Sequence, residues 1–387
     1  MKISRRSFIR FSTAFAAFNI APSHILGRTA PSRKIVMGMI GVGGMGTVNM
    51  NAFLHMDDVV VRAVCDVNVR KLRNAKAHVD QRNGNQDCAA MTDFRELCAR
   101  DDIDAVMLAT PNHSHAMIGI LAAQQGKDIY AETPFAHTLS EGTALAESIA
   151  RHRRVWQTGS WQRTQSPFRK AVAAVQSGRI GKVVRIEIGL PGGGRGPATS
   201  HVPVAPPLAL DWRAWQGNAP ERAYQGVCDF HWRWVSTWGG GILADWIGHH
   251  GDIALWGADR KDEPVSAAGQ GVYPRDGLYD TATAFRFRCM YRDGMELLVA
   301  DGGQLEKGVG VRWIGRSGEW VWVTRGALES SEPQILEDLD TDALGVRNGL
   351  HRDFIDCVMS RQPTLAPADA ARKAANLGHF GEQAMRA

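Results

Sequence analysis

The chain has 387 residues, enough for one large domain or two domains of ordinary size. Hydrophobic residues make up 44% of it and no apolar run reaches the roughly 20 residues that span a bilayer, so a globular protein is indicated and a polytopic membrane protein is excluded. The formal net charge of +5 would suit an acidic partner such as nucleic acid, unless the charge belongs to a segment outside the fold.

The first 30 residues have the pattern of an export signal. Ser-Arg-Arg-Ser-Phe-Ile at residues 4–9 resembles a twin-arginine signal, and a moderately apolar stretch follows at residues 11–25. We expect residues 1–30 to be a signal read by the Tat machinery, which leaves a periplasmic protein, or a membrane-anchored one if the signal stays. Five basic residues and no acid lie in this segment, so its removal takes away the net charge and the argument for nucleic acid.

The six cysteines do not form a redox or zinc motif. They include no C-x-x-C pair and no zinc-ligand spacing, so no metal site is predicted. Twin-arginine export carries proteins that have already folded in a reducing compartment, so we expect mostly buried free thiols.

A dinucleotide site is predicted at the start of the mature chain. Residues 35–40 read as a buried parallel strand, and the G-x-G-x-x-G sequence Gly41–Gly46 follows directly, before a helical stretch. The residues expected at the cofactor phosphates are Gly41, Val42, Gly43, Gly44, Met45 and Gly46.

A carboxylate at the expected distance strengthens this prediction. A second strand at residues 59–64 leads to Asp66, 20 residues after Gly46, where an acid accepts hydrogen bonds from the adenosine ribose. Asp66 would repel a 2′-phosphate, which favours NAD, although the nearby Arg70 keeps NADP open.

Two further α/β units continue the alternation. Asp93 begins a helix, residues 104–109 form the next strand, and a fourth strand lies near residues 128–130. Polar residues at the carboxyl ends of parallel strands lie where such sheets bind ligands. For His113 and His115, helix capping or packing is an equally good reading.

The second half has a different pattern. It is β-rich, punctuated by Gly and Asp-Gly and not alternating with helices, and residues 191–211 read as a long loop. The predicted strands span residues 182–190, 282–291, 295–301, 310–315 and 319–324, and helices are expected at 354–359 and 368–385.

Several of these segments together resemble the Gfo/Idh/MocA oxidoreductase family, in its exported twin-arginine group. They are residues 41–46, 65–66, 109–115, 132–134, 212–215, 239–252 and 347–386. The resemblance implies an α/β protein with an N-terminal Rossmann domain and a C-terminal α/β domain whose open sheet is mostly antiparallel. We place these at residues 34–156 and 157–345, with C-terminal helices at 346–387, and expect a homodimer or homotetramer.

The resemblance also implies site residues. Thr110, Asn112, His115, Glu132 and Gln162 are expected at the cofactor. Asp245 and His249 are expected to bind substrate and act as general base. They are four apart and share one face of a helix. A histidine has a suitable pKa to take a hydroxyl proton, and a carboxylate can orient it.

The sequence departs from the family at one position. Thr133 stands where the family usually has a lysine that helps bind substrate and tune proton transfer. Its hydroxyl can still hydrogen-bond a substrate, but it cannot supply charge. We expect Arg163 to replace part of that charge, His250 to face the substrate, and Trp232 and Trp238 to form an apolar wall for a sugar.

Three functions remain open from the sequence. The first is an NAD-dependent oxidoreductase that acts on a CH–OH group of a sugar, glycoside or polyol, with a cofactor that stays bound and is recycled. The second is a redox-neutral NAD-dependent glycosidase, lyase or epimerase that works through a transient keto-sugar. The third is a non-catalytic binding protein whose site has decayed at Thr133.

Overall fold

The computed structural model describes residues 34–194, 202–345 and 348–387. The predicted export signal therefore lies outside the described residues, as do residues 195–201 of the predicted loop. Within the described ranges, no helix is both long and apolar enough to cross a membrane.

The first domain is a six-stranded sheet in which every neighbouring pair is parallel, with the order β3-β2-β1-β4-β5-β6. Its strands are β1 Ile35–Ile40, β2 Val59–Cys65, β3 Ala89–Met91, β4 Ala105–Leu108, β5 Asp128–Ala131 and β6 Trp156–Thr158. Strands β1 and β4 are continuous apolar runs, and β5 is apolar after Asp128, as expected for strands that are covered on both faces. Strand β6 crosses the domain boundary predicted at residue 156.

Helices cover both faces of this sheet. They are α1 Gly44–Leu54, α2 Val69–Asn83, α3 Phe94–Cys98, α4 Asn112–Gln124 and α5 Leu139–Arg151. Their ends follow local chemistry: Asn68 accepts from two amides at the start of α2, Asp93 caps α3, and Thr138 caps α5. The strand β1 therefore leads into the glycine loop, and the loop leads into α1, as the motif requires.

The second domain is a seven-stranded sheet with the order β13-β12-β11-β7-β10-β9-β8, antiparallel except at the central β7–β10 pair. The strands are β7 Val183–Leu190, β8 Ser266–Val272, β9 Ala284–Met290, β10 Glu296–Asp301, β11 Gly310–Gly315, β12 Trp320–Thr324 and β13 Ala327–Ser330. The predicted α/β fold with a Rossmann domain and a mostly antiparallel second sheet is confirmed.

The remaining helices follow the first sheet in the chain. They are α6 Ser166–Gln176, α7 Trp212–Gln216, α8 Gly241–Gly257, α9 Leu350–Ser360 and α10 Ala368–Arg386, with short 3₁₀ turns at Trp161–Thr164, His231–Trp234, Gly302–Gln304, Pro333–Leu336 and Asp342–Leu344. The core of the second domain lies between its sheet and α6, α8 and α10. Helix α9 instead packs into the core of the first domain through Phe354 and Ile355.

All six cysteines are free thiols, five of them buried and Cys228 partly exposed. This confirms the expectation of mostly buried free thiols. Within the described ranges, no three His, Cys, Asp or Glu side chains are grouped as metal ligands.

Candidate active site

The glycine loop is shaped by two contacts of the chain with itself. Gly41 has a φ of +79°, which favours glycine, and a Cβ on Gly46 would lie 1.8 Å from the carbonyl oxygen of Gly41. Gly43 and Gly44 differ, because a Cβ on Gly43 would meet only Lys71 Nζ at 4.0 Å and one on Gly44 would meet nothing within 4 Å. The loop is therefore open on the side where a phosphate would approach the amides that begin α1.

Asp66 is fixed at the end of β2 beside this loop. Its carboxylate accepts from the amide of Val42 at 3.0 Å and from the amide of Asn68 at 2.8 Å. Burial raises the pKa of Asp66, while these two hydrogen bonds and Lys71 act in the opposite direction. The free lone pairs of the carboxylate suit ribose hydroxyl groups, and the buried Thr110 Oγ1 at the end of β4 has no hydrogen-bond partner among the described residues. The residues present therefore fit NAD.

A segment of the second domain crosses the first domain next to Asp66. We call residues 202–239 the strap. The amide of Val69 donates to the carbonyl of Ala209 at 2.8 Å, and the amide of Asp211 donates to the carbonyl of Val67 at 3.1 Å. Lys71 Nζ forms an ion pair with Asp229 Oδ1 at 2.6 Å, with the Asp229 side chain mostly exposed.

Glu132 follows β5 and is held by residues behind it. Asn49 on α1 donates to Glu132 Oε1 at 2.7 Å, and the Asn49 side-chain oxygen contacts His351 Nε2 at 2.8 Å. The His351 ring stacks on Tyr130 with centroids 4.8 Å apart. Burial raises the pKa of Glu132.

Asp245 and His249 lie one turn apart on α8, facing the first domain. Arg233 Nε donates to Asp245 Oδ2 at 2.9 Å. Burial raises the pKa of Asp245 to about 6, against the opposing effects of Arg233 and of the Asn112 side chain. Burial lowers the pKa of His249 to about 3, helped by the charges of Arg325 and His250, so its imidazole is neutral.

Thr133 connects the two domains at this point. Its Oγ1 lies 3.4 Å from His249 Nε2, and it packs against Gly248, where an added Cβ would be 3.2 Å from Thr133 Cβ. His249 Nδ1 has no hydrogen-bond partner among the described residues. The three predicted catalytic side chains, Asp245, His249 and Thr133, are therefore brought close together where the two domains meet.

Gln162 lies on the other side of His249. With its amide oriented to satisfy both neighbours, it donates to the backbone carbonyl of His249 at 3.1 Å and accepts from Arg325 Nε at 3.2 Å. It thus contacts the backbone of the predicted base.

The structure corrects two predicted contacts of histidines. Both ring nitrogens of the fully buried His115 face backbone carbonyls, those of Pro134 and Thr110, each at 2.8 Å. His250 is also fully buried, and its Nδ1 contacts the Gly189 carbonyl on β7 at 3.0 Å. The first therefore positions the loops at the cofactor site and the second supports the sheet. His113, at 3.0 Å from the Trp215 carbonyl, has the packing role that was the alternative.

Arg163, which was expected to replace part of the charge of the family's lysine, already has a partner inside the protein. Arg163 is buried and forms two hydrogen bonds to Asp252, both at 2.7 Å, with a third to the Leu365 carbonyl. Because this charge is already neutralised inside the protein, Arg163 cannot supply the charge that Thr133 lacks.

The tryptophans near the site are not the predicted ones. Trp238 is fully buried against Trp212 and Trp215, and Trp232 is 6% exposed in the same cluster. They pack inside the strap, where the indoles of Trp212, Trp215 and Trp238 contact one another and Trp232 belongs to the same buried cluster. Trp161 and Trp246 instead flank Arg325, beside His249.

Sequence reasoning missed Arg325, Arg233 and Asn49. Arg325 is on the turn between β12 and β13, far along the chain from His249, and nothing local marks it. Arg233 sits between Trp232 and Trp234, in a segment whose path over the site is set by tertiary contacts. Trp161 and Trp246 were adjacent to predicted residues, so only the side-chain direction was lacking.

The first domain is similar in sequence to known oxidoreductases. Residues 35–160 match the family GFO_IDH_MocA, described as "Oxidoreductase family, NAD-binding Rossmann fold". A "Glycosyl hydrolase family 109 protein" of Shewanella sp. (strain W3-18-1) is 32% identical over 134 residues, which is 34% of this chain. The chain spans only 29% of the length of that curated relative.

Solved structures resemble the whole fold at low identity. The WlbA dehydrogenase of Chromobacterium violaceum, crystallised with NADH and UDP-GlcNAcA, matches with a TM-score of 0.69 and 16% identity over 92% of this chain and 95% of that one. The aldose-aldose oxidoreductase of Caulobacter crescentus matches with a TM-score of 0.64 and 16% identity over 92% and 98%. Residues 35–160, which contain the glycine loop and Asp66, are therefore similar to the NAD-binding Rossmann domain of this oxidoreductase family over about a third of the chain, and the solved structures support the fold of the whole.

Proposed function

We propose that the protein is an NAD-dependent oxidoreductase that acts on a CH–OH group of a sugar, glycoside or polyol. The observation that carries this proposal is the convergence of Thr133 Oγ1 and His249 Nε2, 3.4 Å apart, with Asp245 one helical turn from His249. They lie at the carboxyl edge of the Rossmann sheet, where such sheets bind ligands.

The residues divide the work of oxidising a carbinol. Bound NAD would supply the hydride acceptor. The imidazole of His249 is neutral, so Nε2 can take the proton of the reacting hydroxyl, which Thr133 orients. Because the low pKa makes His249 a weak base, the step depends on stabilisation of the charged imidazole by its neighbours. Asp245 is ionised above its pKa of about 6 and accepts a hydrogen bond from a substrate hydroxyl or stabilises the charged imidazole.

We further propose that the cofactor stays bound and is recycled by a second substrate. The strap supports this, since its backbone hydrogen bonds and its Lys71–Asp229 ion pair lie beside Asp66, the residue expected at the ribose. Release of NAD would then require the strap to move.

Purified protein, analysed by mass spectrometry for bound nicotinamide and then mixed with a panel of sugars and polyols, tests the proposal. We expect one equivalent of bound NAD to be reduced in a single turnover and a keto product to appear. The variants His249→Gln and Asp245→Asn should lose this burst while they still bind NAD. Protein that holds no nicotinamide and oxidises none of the panel would contradict it.

A second candidate is a redox-neutral NAD-dependent glycosidase, lyase or epimerase. Thr133 in place of the family's lysine favours it, and the curated relatives over 134 residues carry a glycosyl hydrolase name. Cleaved glycoside without net reduction of the cofactor would select this reading, and an accumulated keto-sugar would select the first.

The variant Thr133→Lys tests whether threonine at this position belongs to a working active site. We expect it to lower the native turnover, because a second cation beside His249 disfavours protonation of that histidine. If the lysine creates activity in a protein that had none, the native site is a binding site.

We also propose that the chain is exported by the twin-arginine route, on the basis of residues 4–9, and that it forms a homodimer or homotetramer. If the export proposal is right, replacement of Arg5 and Arg6 by lysine should leave the precursor in the cytoplasm, as measured by cell fractionation. Light scattering on the mature chain tests the oligomeric state separately, because it gives the mass of the oligomer.

A further inference from the structure

The guanidinium of Arg325 lies over two indoles, those of Trp161 and Trp246, near His249. Its Cζ lies 4.7 Å from the ring centre of Trp161 and 4.3 Å from that of Trp246. A guanidinium that contacts indoles through its face leaves its N–H edge available for hydrogen bonds. One of those donors, Nε, is taken by the side-chain oxygen of Gln162 at 3.2 Å.

This arginine differs from the other two near the site. Arg163 pairs with the buried Asp252, and Arg233 pairs with Asp245. Within the parts of the chain that the structure describes, Arg325 has neither a carboxylate partner nor an acceptor for its terminal nitrogens. Arg325 is exposed and Trp161 is 38% exposed, so a ligand in solvent can reach the N–H groups of the guanidinium.

Arg325 is also close to the predicted base. Gln162 contacts both residues, since it donates to the His249 carbonyl at 3.1 Å. The indole of Trp246 stacks on Arg325 with one face and meets the His249 ring at a centroid distance of 6.2 Å. The positive charge of Arg325 reaches His249 and His250, where it helps lower both pKa values.

We propose that Arg325 binds a carboxylate carried by the sugar substrate, so that the site selects sugar acids over their neutral parents. This rests on the proposed sugar oxidoreductase function and adds the substrate class. A planar carboxylate accepts two parallel hydrogen bonds from the terminal N–H groups of one arginine. Because the two indoles and Gln162 already fix the guanidinium, little side-chain entropy is lost on binding.

A sugar phosphate also carries an oxyanion that an arginine could bind, so it is the alternative to a sugar carboxylate. A carboxylate is the better match, since one guanidinium edge satisfies it, whereas a phosphate dianion presents three acceptor oxygens. A hexuronic acid, the neutral hexose with the same ring and the hexose 6-phosphate therefore form the test set.

The experiment compares kcat/KM for the three sugars in the wild-type protein and in R325Q and R325K. We expect the wild type to favour the uronic acid over the hexose by about tenfold or more, as a charged hydrogen-bonded pair would give. R325Q should abolish most of this preference and R325K should retain part of it. The matched control is R312Q, because Arg312 stacks on Trp320 at 4.8 Å and pairs with Glu306 at 2.8 Å on the second sheet. It should keep the preference.

Binding provides a readout that does not need turnover. Uronic acid should change the tryptophan fluorescence of the wild type and of R312Q, and the apparent Kd should rise about tenfold or more in R325Q. A preference that survives in folded R325Q, or tighter Arg325-dependent binding of the phosphate, would overturn the proposal. If sugars of every charge go unoxidised while the uronate still binds through Arg325, the oxidoreductase function fails and the anion site stands.

Discussion

Two kinds of glycine share the loop between β1 and α1. Gly41 and Gly46 are required by the protein itself, because one has a positive φ and the other sits against a carbonyl oxygen. Gly43 has a negative φ and space beyond its Cα, so no contact within the protein requires a glycine there. Its lack of a side chain is explained by close approach of a ligand to the backbone.

This difference predicts a separation of stability from cofactor binding. We expect Gly43→Ala to fold with a Tm close to that of the wild type but to bind NAD at least tenfold more weakly, because the methyl group would occupy the space of the phosphates. Gly46→Ala should fail to fold well, since its Cβ would overlap the Gly41 oxygen. Calorimetry and NAD titration of the pair check both. Unchanged NAD affinity in Gly43→Ala would place the cofactor elsewhere.

The pair of Arg233 and Asp245 predicts a pH effect. Burial raises the pKa of Asp245 to about 6 even though Arg233 acts to lower it, so activity that needs the carboxylate falls as the pH drops below about 6. In Arg233→Gln the lowering influence is gone, and the acid limb of the kcat/KM profile should move to higher pH. Arg312→Gln serves as the control. A limb that stays in place would show that Asp245 does not need to be ionised.

At this scale, the sequence was informative where function depends on a short motif. The glycine loop and Asp66 could be located from their spacing, whereas Thr133, Asp245 and His249 were predicted from the resemblance of their segments to the family. Arg163 could not be assigned, because whether a cation is free depends on its partner, and Asp252 lies 89 residues away. The same applies to Arg325, whose neighbours Trp161, Gln162 and Trp246 come from two segments distant in the chain.

The strap is the element that distinguishes the cofactor side of the molecule. Four indoles and the apolar side chains around them give it a core of its own. Several polar contacts also hold it to the first domain, among them those of His113 with the Trp215 and Trp238 carbonyls. The Lys71–Asp229 ion pair is one of these contacts, and Lys71 Nζ also lies at the open side of Gly43.

We expect the charge of this contact to influence release of NAD. Asp229→Lys would place two like charges together and should speed NAD dissociation several-fold, since surface pairs of this kind contribute up to about 1 kcal/mol. The swap Lys71→Glu with Asp229→Lys should restore part of the slow release. Stopped-flow displacement of NAD measures both, and Lys307→Ala, which removes the separate Lys307–Glu329 pair, is the control. Equal release rates in all variants would assign retention to other contacts.

Strands could be predicted from the sequence when a buried strand was also an apolar run. β1 and β11 have the predicted bounds because their apolar runs are interrupted by turn residues at both ends. Strand β8 was missed, since Ser-Ala-Ala-Gly-Gln-Gly-Val has few β-favouring residues, and pairing with β9 alone makes it a strand. The predicted second-domain wall of tryptophans was wrong because an aromatic cluster buries its own faces.

On the scale of the whole molecule, burial of histidines couples stability to pH. Burial lowers the pKa values of His113, His250, His351 and His379 to about 4 and of His249 to about 3. In the unfolded chain these groups take up protons near their ordinary pKa of about 6.5. The unfolded state therefore binds more protons between about pH 6.5 and 4, so the free energy of unfolding falls as the pH is lowered through this range.

Denaturant titrations between pH 7.5 and 4.5 should show this fall, with net proton uptake on unfolding. His351→Gln keeps a polar partner for Asn49 but removes one titrating group, so its stability should depend less steeply on pH. A stability that rises toward pH 4.5 would contradict the assignment of neutral buried rings.

The position of α9 in the chain has a consequence for how the molecule assembles. Phe354 and Ile355 complete the core of the first domain, and His351 contacts Asn49 behind Glu132, although some 190 residues of the second domain separate α9 from β6. A helix that follows the second domain in the chain therefore completes the core of the first. We expect synthesis to pass residue 360 before that core can close, so that the residues behind Glu132 come into place only after the second domain has been made.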